Sequence, residues 1–122
     1  MLLVEDEPQV ASIVERRLSR WGYRVEHVVT AVAALERMRV GAQFDLLFSD
    51  LGLPGGMNGC ELAHQALKMR PTLSVLLTSG YSPDQIASLG TLPRGVEVLS
   101  KPYSGAQLLE SLERAVEPRK ES

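Results

Sequence analysis

The chain has 122 residues and a mass of 13.4 kDa, enough for one ordinary domain with a real core and too little for two. Thirteen Lys and Arg against fifteen Asp and Glu give a net charge of −2, which argues against the basic footprint that direct nucleic-acid binding needs. The single cysteine, Cys60, excludes an internal disulfide framework and a multi-cysteine zinc site and suits a reducing cytoplasm, while no apolar run approaches the roughly 20 residues of a membrane span and no signal-peptide pattern is visible.

Along the chain, short apolar runs alternate with longer segments of helical period. Leu2-Leu3-Val4 reads as a first strand and runs into Glu5-Asp6-Glu7. Pro8 suits the first turn of a helix whose apolar positions Val10, Ile13, Val14, Leu18 and Trp21 recur at 3.6-type spacing, with Gly22 as its stop. Residues 24–29 form the second apolar run. Thr30 then caps a helix carrying Val32, Leu35 and Met38, which ends near Gly41. The third run, 44–48, leads into Ser49-Asp50. Asn58, with Glu61 three residues on, opens a third helix in a capping-box arrangement, with Leu62, Ala66 and Leu67 as its stripe. The fourth run, 73–77, ends at Thr78-Ser79-Gly80, and Ser82-Pro83-Asp84-Gln85 opens a short fourth helix. The fifth run, 96–99, ends at Ser100-Lys101-Pro102. Ser104-Gly105-Ala106-Gln107 opens a fifth helix with Leu108, Leu109, Leu112 and Val116 inward and Pro118 beyond its end. This divides the chain into one domain, 1–117, and a polar tail, 118–122.

Five strands alternating with five helices predict an α/β fold: an open, doubly wound parallel sheet with right-handed crossovers and helices on both faces. Ligands in such folds bind beyond the carboxyl ends of the strands. The residues delivered there are Glu5 and Asp6, Asp50, Ser79 and Lys101. Converging carboxylates repel unless a cation lies between them, and hard oxygen donors with room for water suit Mg²⁺. A carboxylate beside that ion can act as a nucleophile and form an aspartyl-phosphate. A lysine can neutralise the phosphoryl oxygens and a hydroxyl can donate to one of them, so the set has the parts that phosphoryl transfer needs.

The motifs Leu3-Val4-Glu5-Asp6-Glu7-Pro8, Ser49-Asp50-Leu51-Gly52-Leu53-Pro54, Leu77-Thr78-Ser79-Gly80 and Lys101-Pro102 resemble those of the receiver domains of two-component response regulators. The resemblance covers residues 1–117 and implies the flavodoxin-like (βα)5 receiver fold. It implies Asp50 as the phosphoacceptor, Asp6 as the direct metal ligand with Glu5 behind it, and the Gly52 backbone carbonyl as a further metal ligand. It implies Mg²⁺ as cofactor, Ser79 as the switch hydroxyl, Lys101 as the phosphoryl-binding lysine, and a cis bond between Lys101 and Pro102. The partner would be a histidine kinase or a histidine phosphotransfer protein. The stretches 53–59, 78–81 and 100–103 look most like receivers of bacterial hybrid sensor histidine kinases, so a parent kinase in cis is a further candidate. The resemblance also implies docking through the first helix, with Val10, Ala11 and Val14 as contact candidates. It implies no enzyme beyond self-phosphorylation and self-dephosphorylation, no direct nucleic-acid or membrane contact, and a monomer or weak dimer.

Two departures from the family pattern bear on function. Its switch aromatic is Val98 here, and the two positions flanking the attacking water in dephosphorylation are Gly52 and Tyr81. A glycine orients no water and a tyrosine can shield the phosphoryl group, so slow loss of phosphate is expected. Two other readings compete. A haloacid-dehalogenase-type phosphatase uses similar groups but places an Asp-x-Asp after its first strand, where this chain has Glu5-Asp6-Glu7. A degenerate receiver would bind partners without phosphorylation. His27, His64 and Cys60 show no metal-ligand spacing and read as structural residues, and the glycines at 52, 55, 56 and 59 read as backbone turns because no Gly-Lys-Ser/Thr follows them.

Overall fold

The computed structural model describes residues 1–116. The expected polar tail, its Pro118 helix stop and the domain boundary at 117 lie outside the described residues. Strands β1 (Leu2–Val4), β2 (Glu26–Val28), β3 (Leu46–Asp50), β4 (Ser74–Ser79) and β5 (Glu97–Ser100) alternate with helices α1 (Pro8–Arg20), α2 (Ala31–Arg39), α3 (Gly59–Met69), α4 (Pro83–Ser88) and α5 (Gly105–Val116). All strand pairs are parallel, in the order β2-β1-β3-β4-β5. This is the doubly wound arrangement, and the order reverses between β1 and β3. At such a switch point two neighbouring connections leave for opposite faces and open a crevice.

The period of two along each strand sorts side chains into two cores. Leu2, Val4, Leu47, Val75 and Leu77 point to the layer that holds α2 and α3, where Leu35, Met38, Leu62 and Ala66 meet them. Leu3, Leu46, Phe48, Leu76 and Leu99 point the other way, toward Val14 and Leu18 of α1 and Leu108 and Leu112 of α5. β1, β3 and β4 are buried almost throughout, as parallel strands covered on both faces must be.

The helix caps follow the expected chemistry. Thr30 accepts from the Ala33 N–H, and Asn58 with Glu61 and Ser82 with Gln85 form reciprocal capping boxes. Ser104 and Gln107 exchange the same pair of bonds at the start of α5. Gly22 and Gly41, with φ of 91° and 93°, follow the ends of α1 and α2 in the left-handed conformation that glycine adopts without strain.

Three side chains expected inward are exposed: Ile13, Val32 and Val116. Helical residues advance about 100° each. Ile13 therefore lies off the face that α1 buries through Ala11, Val14 and Leu18, and Val32 lies off the face of Ala31, Ala34, Leu35 and Met38. Val116 is off the Leu108–Leu112 stripe at the last described turn of α5. The same geometry corrects the contact candidates on α1, because Ala11 and Val14 are core residues and cannot meet a partner.

Candidate functional site

The carboxyl ends of β1, β3, β4 and β5 deliver the predicted groups to one crevice. Asp50 is the last residue of β3 and half-buried. Lys101 follows β5, and its Nζ lies 3.0 Å from Oδ2 of Asp50. The other Asp50 oxygen, Oδ1, accepts the Gly52 N–H at 3.2 Å. The carboxylates of Glu5, Asp6 and Asp50 each place an oxygen within 4.8 Å of the other two. Three hard anionic donors so close fit a small divalent cation of the Mg²⁺ type. No other such cluster of acidic, His or Cys side chains occurs among the described residues.

Glu5 is the buried member, at 6% exposure. Its Oε2 accepts the Glu7 N–H at 3.1 Å. Burial, joined by the charge of Asp50, pushes its carboxyl above the usual range against that hydrogen bond and Lys101. Burial pulls the Lys101 ammonium down, yet the hydrogen bond and charge of Asp50, with Glu5 and Tyr103 adding, hold it above its ordinary value. The lysine thus stays charged and offsets part of the carboxylate repulsion. Glu7 is exposed and outside the acidic cluster.

Ser79 ends β4 and is 1% exposed. Its hydroxyl accepts the Tyr81 N–H at 2.9 Å, and its carbonyl accepts the Lys101 N–H at 2.8 Å. The Lys101–Pro102 bond is cis. Ser79 is therefore tied by backbone to the lysine, with its side chain turned into a local bond to Tyr81. Gly59, at the start of α3, lies so close to the acceptor strand that a Cβ would be 2.6 Å from the Asp50 carbonyl oxygen, which explains glycine at that position.

Two groups at the site were given no role there by the sequence. His27 in β2 places Nε2 2.8 Å from the Glu5 carbonyl oxygen, a contact created by the β1–β2 register. Tyr103 is half-buried beside Lys101 and Arg17, and burial first of all raises its phenol above the ordinary value. His64 and Cys60, in α3, instead both reach the Thr91 carbonyl, ahead of β5. Val98, at the expected aromatic position, is half-buried and packs on the α2–α3 side.

The family model of the response regulator receiver domain matches residues 1–113. Among curated proteins, the response regulator receiver protein CpdR of Brucella abortus is 31% identical over 114 residues, covering 93% of both chains. The sensor kinase CckA of the same organism is 34% identical over 120 residues, 96% of this chain but only 12% of that one. Among solved structures, a response regulator receiver protein from Sinorhizobium medicae superposes with a TM-score of 0.85 at 27% identity, covering 98% of this chain and 94% of that one. The match to NtrX from Brucella abortus has a TM-score of 0.77 at 28% identity, over 95% of this chain and 26% of that one. The fold, the order of the motifs along it and these matches lead to one conclusion: the chain belongs to the family of response regulator receiver domains.

Proposed function

We propose that the chain, as one domain over 1–117, accepts a phosphoryl group on Asp50 from a partner phosphohistidine and so switches a protein-interaction surface. The observation that carries this reading is Asp50 itself, bridged to Lys101 at 3.0 Å and gathered with Glu5 and Asp6 at the strand ends. A carboxylate oxygen of Asp50 attacks phosphorus, the bond from phosphorus to the partner's imidazole nitrogen breaks, and the electron pair leaves with the imidazole. Lys101 stabilises the added negative charge from the position it already holds. Ser79 gives up its bond to the Tyr81 N–H and donates its hydroxyl to a phosphoryl oxygen. Glu5, Asp6, Asp50 and the Gly52 carbonyl would hold Mg²⁺, which when bound neutralises charge on the transferring group.

The Ser79 carbonyl accepts from the Lys101 N–H, so movement at either residue passes to β5 and the surface of α4, β5 and α5. The proposed donor is a histidine kinase or a histidine phosphotransfer protein. The match to a segment of a sensor kinase supports a parent hybrid kinase as a further candidate. The proposed setting is the cytoplasm. No helix among the described residues is long and apolar enough to cross a membrane. We propose no catalytic activity on other substrates, no direct nucleic-acid contact, and a monomer or weak dimer.

Incubation with Mg²⁺ and acetyl phosphate tests the chemistry. Intact mass should rise by one phosphoryl group in the wild type and stay unchanged in Asp50→Asn and in EDTA. Equal labelling of Asp50→Asn would contradict the assignment, and no labelling by acetyl phosphate or by any phosphohistidine donor would favour a receiver kept for binding alone.

A further inference from the structure

We propose that His27 is a positioning residue for the acidic loop, holding it in the shape that binds the cation; this rests on the phosphoacceptor reading above. His27 is the central residue of β2, paired with Leu3 of β1 and half-buried. Its Nε2 lies 2.8 Å from the Glu5 carbonyl oxygen. A carbonyl can only accept, so Nε2 carries the proton and donates. The neighbouring Val28 carbonyl accepts the Glu5 N–H at 3.1 Å, and the Glu5 carboxylate accepts the Glu7 N–H at 3.1 Å. Glu5 is thus held at its amide, its carbonyl and its carboxylate. Of these three bonds, only the one from His27 comes from a side chain.

The carbonyl that His27 holds belongs to the peptide unit leading into Asp6. Its direction sets where the Asp6 backbone starts, and hence how the Asp6 carboxylate meets those of Glu5 and Asp50. Three carboxylates this close repel, and the loop can relieve that repulsion by swinging outward. A hydrogen bond from the edge strand to the loop backbone opposes the swing without adding a ligand or competing for the ion. Bonds one step behind metal ligands commonly carry about 10–100-fold in affinity. Pro8, Ala11 and His27 line an open groove between α1 and β2, so the imidazole can be replaced without emptying a core.

The test is Mg²⁺ affinity of the full chain, read from chemical-shift titration of the wild type, His27→Phe, His27→Ala and His27→Gln, with thermal unfolding in EDTA alongside. Phe keeps the ring without the donor, and Gln keeps an N–H donor at similar reach. Expected are about tenfold weaker binding in Phe and Ala and recovery to within about threefold in Gln, with metal-free melting temperatures alike. Wild-type affinity in Phe and Ala, or binding as weak in Gln as in Phe, overturns the proposal. Loss of the fold in Phe, Ala or Gln also overturns it, by assigning His27 to stability. A wild type that binds no Mg²⁺ overturns the phosphoacceptor reading instead, so the two failures are distinct.

Discussion

Gly52 and Tyr81 meet beside the proposed acceptor. A Cβ at Gly52 would lie 2.6 Å from the Tyr81 hydroxyl oxygen, so the phenol rests against the glycine backbone next to Asp50. Gly52→Asn must push that ring aside and adds an amide able to orient water. We expect the phosphorylated variant to lose its group about tenfold faster, about 1.4 kcal/mol of barrier; decay of the phosphorylated mass checks this, and an equal or longer lifetime would contradict a shielding role for Tyr81. Glu5 gives a pH-dependent case. Folding holds its carboxyl above the ordinary range, mainly through burial, so the folded metal-free chain keeps that proton more tightly than the unfolded chain. Its contribution to stability therefore falls as pH rises through the ordinary carboxylate range toward the raised value, and then levels off. Glu5→Gln removes the charge and can still accept the Glu7 N–H. Its metal-free melting temperature at pH 7 should exceed that of the wild type by a few degrees, an advantage that disappears near pH 3; a lower melting temperature at pH 7 would contradict a buried-charge penalty. Asp6, Asp50 and Lys101 were legible because each stands one residue past the end of an apolar run. His27 was not, since its contact to Glu5 depends on strand register and on no local pattern.

The elements differ in how firmly they are held. β3 and β4 are central and buried, whereas α4 has six residues and none of them buried. Its hold on the molecule comes from the Ser82–Gln85 capping box and from Ile86 and Leu89 resting on the core. Ser82→Ala should cost about 1 kcal/mol of local stability. Hydrogen exchange of α4 amides should speed up about fivefold while β3 and β4 amides keep their rates. Equal acceleration in all three would mean that α4 opens only with the whole domain. Helix positions and caps were legible because Thr30, Asn58, Ser82 and Ser104 stand directly before their helical segments. Stripe membership was less so. Ile13 and Val32 are apolar and near the right spacing, but small alanines, Ala11, Ala31 and Ala34, take the buried positions. Close packing of helix on sheet rewards a small side chain there, and a hydrophobicity pattern does not register that.

At the scale of the whole molecule, the alternation of strands and helices shows in the sequence, while the strand order depends on the connections. Placing β1 between β2 and β3 brings the end of the first strand beside the end of the third. That adjacency turns two acidic segments more than forty residues apart in sequence into one cluster. The lysine, from the far edge of the sheet, closes the site by reaching back across β4. The central claim is that this architecture makes Asp50, and no other carboxylate, the acceptor. Borohydride reduction of the phosphorylated chain followed by peptide mapping tests it most directly, because reduction converts an aspartyl-phosphate to homoserine. Homoserine should appear at position 50 alone; homoserine at Asp6, or at any other aspartate with position 50 intact, would contradict the site described here.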